Sequence, residues 1–131
     1  MFGWGRRKQP LADPNMEAAF SKAVEIISGF APERRLAVAY GVAFAWKAFN
    51  SKFPSIEDFR RQSSRTKTQF WEGLKKVGEH LDSEGDQDAA HGVSLVGMYT
   101  LALVDGDAAM INRMAGKLEP FNREGSALLS V

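Results

Sequence analysis

The chain has 131 residues, 44% hydrophobic and 25% charged, with 17 Lys+Arg against 16 Asp+Glu, two His and no Cys. That length holds one domain and not two separate cores, and 10 Leu, 4 Ile, 8 Val and 9 Phe are too many for a disordered chain. A net charge of +1 excludes nonspecific coating of nucleic acid, and the missing cysteine excludes disulfides, thiolate metal sites and a Cys nucleophile, so a reducing, cytoplasmic setting is expected.

Residues 1–11 are expected to form a flexible tail that sets Phe2 and Trp4 beside Arg6, Arg7 and Lys8. That mixture suits weak contact with an anionic membrane, rings at the interface and cations by the headgroups. A start folded back on the domain is the competing expectation. Its cations follow the aromatics with no apolar stretch behind them, so the segment does not read as a secretory signal. Phe at position 2 excludes myristoylation.

The helical domain is expected over residues 12–119. Seventeen alanines and period-3.6 patterning predict an all-α fold, a single compact bundle of five to six helices. Asp13-Pro14 sets an N-cap and a Pro at the first helical position, Met16, Phe20, Ala23, Val24 and Ile27 share a face, and Gly29 closes this first helix. Pro32 opens a second helix to about Ser51, with Leu36, Tyr40 and Phe44 on one side and Val38, Val42, Trp46 and Phe49 on the other. Apolar nearly all round, it belongs at the centre of the bundle. Ala37, Gly41 and Ala45 form a flat strip for close packing.

Ser55 and Asp58 form a weak capping box ahead of Phe59. The polar stretch Arg60 to Thr68 reads either as a break between two helices or as part of one, and Phe70, Leu74, Val77 and Leu81 continue at helical spacing. Asp82 to Asp88 is a loop, with Asp86 as N-cap of a second central helix over about 87–104. Asp105-Gly106-Asp107 ends that helix and caps a last one, in which Ile111, Met114, Ala115 and Leu118 share a face until Pro120 stops the pattern. Residues 120–131 are expected to be a flexible tail. The terminal Leu129-Ser130-Val131 resembles endings taken up by strand addition, though three residues carry little information.

No phosphate-binding glycine loop, dinucleotide fingerprint or zinc-protease motif is present. Gly92 to Gly97 is one residue too long for a nucleophile elbow, and Ser94 falls inside a helix, where packing is its expected role. Glu79, His80, Asp82, Glu84, Asp86, Asp88 and His91 crowd into thirteen residues, but an EF-hand begun at Asp82 would need Gly and Glu where Gln87 and Val93 stand. A solvated loop is expected, with no metal and no cofactor.

Between Glu57 and Lys76 six cations, Arg60, Arg61, Arg65, Lys67, Lys75 and Lys76, face three acids, and five acids follow between Glu79 and Asp88. The surface is therefore expected to be bipolar. Lys67, Trp71 and Lys75 are four apart, which places Trp71 between two cations. Those seven residues are the candidate partner-binding surface, in the manner of aromatic and cationic hot spots; the plainer alternative has Trp71 widening the core face while the lysines stay solvated.

The leading expectation is a small non-catalytic interaction protein of adaptor, regulator or toxin-neutralising type, with a protein partner and no nucleic acid. The alternatives are peripheral membrane attachment through the first eight residues, and an enzyme or ligand carrier with a pocket between the two central helices, where Tyr40, Lys47, His91 and Tyr99 are the polar groups available. Two helices apolar nearly all round also leave a homodimer open.

Overall fold

The structure is a computed structural model and describes residues 14–129. Six helices follow in order: α1 (Pro14–Ser28), α2 (Pro32–Lys52), α3 (Ile56–Arg61), α4 (Ser64–Ser83), α5 (Gln87–Asp105) and α6 (Ala108–Leu129), with no strand among the described residues. The all-α bundle anticipated from the periodicity is what forms. Asp13 and the basic, aromatic segment with Phe2, Trp4, Arg6, Arg7 and Lys8 lie outside the described residues.

α2 and α5 make the centre, and glycine decides how closely they approach. A methyl group built on Gly41 would sit 2.0 Å from the carbonyl oxygen of Ala89, and one on Gly92 would sit 2.1 Å from that of Val38. The two backbones therefore touch with no side chain between them. Arg34 meets Asp88 at one end and Trp46 meets Tyr99 further along, so both helices ascend in the same direction. α6 joins α2 by the same device: a Cβ on Gly125 would lie 1.9 Å from the Ala39 carbonyl oxygen.

The rest of the core is aromatic. Phe49, Phe53, Phe59 and Phe70 come from α2, the turn after it, α3 and α4, and all are buried. Their ring centroids lie 5.0–6.0 Å apart in tilted and edge-on pairs, the arrangement that aromatic quadrupoles favour. α1 buries Phe20 in the core and is tied to α6 by a two-pronged ion pair, Arg113 donating to both Glu17 carboxylate oxygens at 2.6 and 2.8 Å.

Residues 55–82 form two helices, broken at Gln62-Ser63. The Ser63 hydroxyl accepts the Thr66 backbone N–H at 3.1 Å and so caps a new start. Ser55 caps α3 in the same way through Asp58, and the Asp107 carboxylate takes the Met110 N–H at 2.8 Å. Asp86 stands at the head of α5 as anticipated, yet its side chain makes no capping bond. Instead the preceding turn sets its backbone: Gly85 has φ +83°, its N–H donates to the Asp82 carbonyl, and the Asp86 N–H donates to that of Leu81. These are the paired bonds of a Schellman ending, and they require a residue at ease with positive φ.

One expectation is corrected. α6 does not stop at Pro120 but runs through it to Leu129, with Phe121 and Gly125 buried, so most of the expected tail over 120–131 is helix. The carbonyl that Pro120 leaves without a donor belongs to Gly116, which is exposed, so water can satisfy it. α2 is central, as expected, and keeps one strip open, Leu36, Tyr40 and Phe44 being 42%, 38% and 39% exposed.

Candidate functional site

α4 and α5 pack as an antiparallel pair across the Gly85 turn, with Leu74 against Gly97 and Trp71 against Thr100. Thr100 is wholly buried; its hydroxyl accepts the Trp71 indole N–H at 3.0 Å and donates to the Gly97 carbonyl at 2.8 Å. One edge of Trp71 is thereby fixed in the core while the rest of the ring remains half-buried.

Above this contact the two helices part into an open groove of about 720 Å³. Trp71, Lys75, Gly78 and Asp82 line it from α4, and Ala90, Ser94, Gly97 and Leu101 from α5. Each set recurs at intervals of three and four, so each is one face of its helix. The groove exists because the facing side chains are small. A Cβ on Gly78 would meet nothing within 4 Å, and one on Gly97 would only touch Leu74 Cδ1 at 4.0 Å. Met98, Val93 and Leu74 add apolar wall. Charge is graded along the trough: Lys75 stands toward the Trp71 end, and Glu79, Asp82 and His91 toward the Gly85 end.

The seven residues proposed from sequence divide three ways. Trp71 and Lys75 line the groove. Arg60 and Arg61 serve the fold: the Arg60 Nε donates to the Leu103 carbonyl at 2.7 Å, satisfying an end carbonyl of α5, and Arg61 pairs with Asp58. Arg65 and Lys76 are exposed and do not line the groove, while Lys67 stands 6.0 Å above the Phe59 ring. The reading from sequence missed the α5 wall. Ser94, expected to pack, is exposed at the groove, and the signal for it was present in the polar and small residues Ala90, Ser94 and Gly97 recurring on a helix otherwise rich in Val and Leu.

Elsewhere the acids are spread out. Asp88 is clamped by Arg34, Nε and Nη2 each donating at 3.1 Å, and this bond holds its carboxyl below the usual carboxylate range. Among the described residues no group of three His, Asp or Glu is placed to hold a metal ion. Tyr40, Lys47, His91 and Tyr99 do not converge: Tyr40 is on the exposed strip of α2, Lys47 beside Asn50 and Ser126, His91 in the groove, and Tyr99 is buried against Trp46. Burial pushes the Tyr99 hydroxyl above its ordinary pKa. At Gly41 and Gly92 the backbones of the central helices touch with no space between them, and further along a cavity of about 200 Å³ opens beside Val42 and Trp46 of α2 and Tyr99 of α5, closed by Leu118 and Glu119 of α6.

No protein-family model matches the chain, and no curated protein or solved structure matches it either. Among the described residues, no helix is long and apolar enough to cross a membrane.

Proposed function

We propose that this chain is a protein-interaction module, an adaptor or regulator acting in the cytoplasm, and that its α4–α5 groove receives an amphipathic helix of a partner protein. The observation that carries this reading is the groove's construction: Gly78 of α4 facing Ala90, Ser94 and Gly97 of α5 leaves an apolar trough walled by Trp71, with Lys75 toward one end and Glu79 and Asp82 toward the other. Helix-in-groove recognition uses that shape, the guest laying apolar residues at i, i+3, i+4 and i+7 onto the floor. The charge gradient orients the guest, its acidic end toward Lys75 and its basic end toward Glu79 and Asp82. The reading is of a binding protein and not an enzyme.

The test fills the groove without disturbing the fold. Gly78→Leu places bulk in open space, Gly97→Leu starts from an ordinary contact of its Cβ with Leu74 Cδ1 at 4.0 Å, and both replace glycine by a better helix former. Affinity capture from the native cells should yield a stoichiometric protein partner with the unaltered chain. The partner should be lost with either filled variant and with the triple reversal Lys67→Glu, Lys75→Glu, Lys76→Glu, while circular dichroism stays unchanged. A partner retained by both filled variants would place binding elsewhere.

A further inference from the structure

The exposed strip on α2 has a symmetry that its exposure alone does not require. Leu36, Tyr40 and Phe44 are four apart, so they stand one above another on a single line of the helix. The Tyr40 and Phe44 rings stack, centroids 6.3 Å apart and planes 10° from parallel. α5 closes one flank of α2 at Gly41 and α6 closes the other at Ala39 and Ala43, and the strip lies between them. At its ends stand exposed Glu33 and exposed Lys47, seven residues before and seven after Tyr40. Seven residues are two helical turns, so both charges fall on the line of the strip. Neither enters an ion pair with another described residue.

We propose that this face is a two-fold interface between two copies of the chain, α2 lying antiparallel against α2 with the axis beside Tyr40. Under that symmetry residues equally spaced before and after Tyr40 meet across the axis, as an isologous contact demands. Leu36 packs on Phe44 of the second copy, Tyr40 on its own counterpart, and Glu33 pairs with Lys47 at both ends. A parallel arrangement would set Glu33 against Glu33 and Lys47 against Lys47, so charge selects the antiparallel one. The contact spans about 21 Å of helix at 1.5 Å per residue. A strip one helix face wide over that length buries less than the roughly 800 Å² per partner of a stable complex, so the dimer is reversible and depends on concentration. It shares no residue with the α4–α5 groove, and either site can fail without the other.

Sedimentation equilibrium of the full chain from about 1 μM to 1 mM, a range that spans weak association, reads the dimer directly. Glu33→Lys and Lys47→Glu each put like charges together at both ends and should each weaken association about tenfold. An equimolar mixture of these two variants restores opposite charges at both ends and should dimerise like the unaltered chain, as should the double variant E33K/K47E. Because the chain has no cysteine, Tyr40→Cys should cross-link to its own counterpart under mild oxidation, faster than Leu36→Cys. An unaltered chain that stays monomeric throughout, a dimer insensitive to both reversals, or a mixture that fails to recover would each overturn the proposal.

Discussion

Glycine has two opposite roles in this chain, and sequence alone does not tell them apart. At Gly41, Gly92 and Gly125 an added methyl would fall 1.9–2.1 Å from a carbonyl oxygen of the neighbouring helix. Replacement by Ala at any of the three is expected to force helices apart and lower stability by about 2–4 kcal/mol, measured by urea denaturation. At Gly73 and Gly116 nothing lies within 4 Å, so Ala there should raise stability by up to about 1 kcal/mol through helix propensity. The strip Ala37, Gly41 and Ala45 was legible as a close-packing surface. Its partners, Ala89 and Gly92, were not, because nothing along a single helix specifies which neighbour will come near. The cations show the same limit: Arg60 reads as a surface charge until the end of α5 is brought beneath it.

Helix limits were legible at Ser55, Gly29 and Asp107, where a cap or a glycine carries the signal, left open at Ser63, whose cap stands in the polar stretch Arg60 to Thr68, and illegible where packing overrides local chemistry. Pro120 is the clearest case. Met110, Met114, Leu118, Phe121 and Gly125 keep one buried face straight through it, and the contacts of that face outweigh the hydrogen bond that proline deletes. The face was present in the sequence beyond Pro120, but the breaker was given precedence. Truncation after Glu119 therefore removes core and not a tail, and should cost about 3 kcal/mol or more in denaturant titration through the loss of Phe121 alone. A truncated chain as stable as the full one would show that the last turns of α6 contribute nothing. The groove was half legible for a related reason. Its α4 wall was marked by the alternation of Lys67, Trp71 and Lys75, whereas its α5 wall is recognisable only once the two helices face each other.

The assembled bundle closes over two cross-helix clamps, Arg34–Asp88 joining α2 to α5 and Arg113–Glu17 joining α6 to α1. In each, the arginine's hydrogen bond holds the carboxyl below its ordinary value, 3.8 for Asp88 and 4.5 for Glu17. A carboxyl lowered by folding contributes stability that is present above its unfolded pKa and lost as pH falls through the folded one. Thermal unfolding is thus expected to keep its midpoint down to about pH 5 and to drop below about pH 4. The paired substitutions Asp88→Asn and Glu17→Gln should lower the midpoint at pH 7 and flatten that acid dependence; an unchanged slope would mean that neither clamp carries it.

The hydrogen bond between Trp71 and Thr100 has an optical consequence. It fixes one indole at the wall of the groove, whereas Trp46, half-buried, is stacked at 5.3 Å on Phe49 against the aromatic core. With Trp4 and Trp46 replaced by Phe, the remaining fluorophore reports the polarity of the trough. A guest helix that expels water should shift the emission of Trp71 to shorter wavelength and slow its quenching by iodide. The protein thus carries its own unlabelled titration signal, one that would give a dissociation constant for a partner peptide and remain silent to anything bound on the far side of α2.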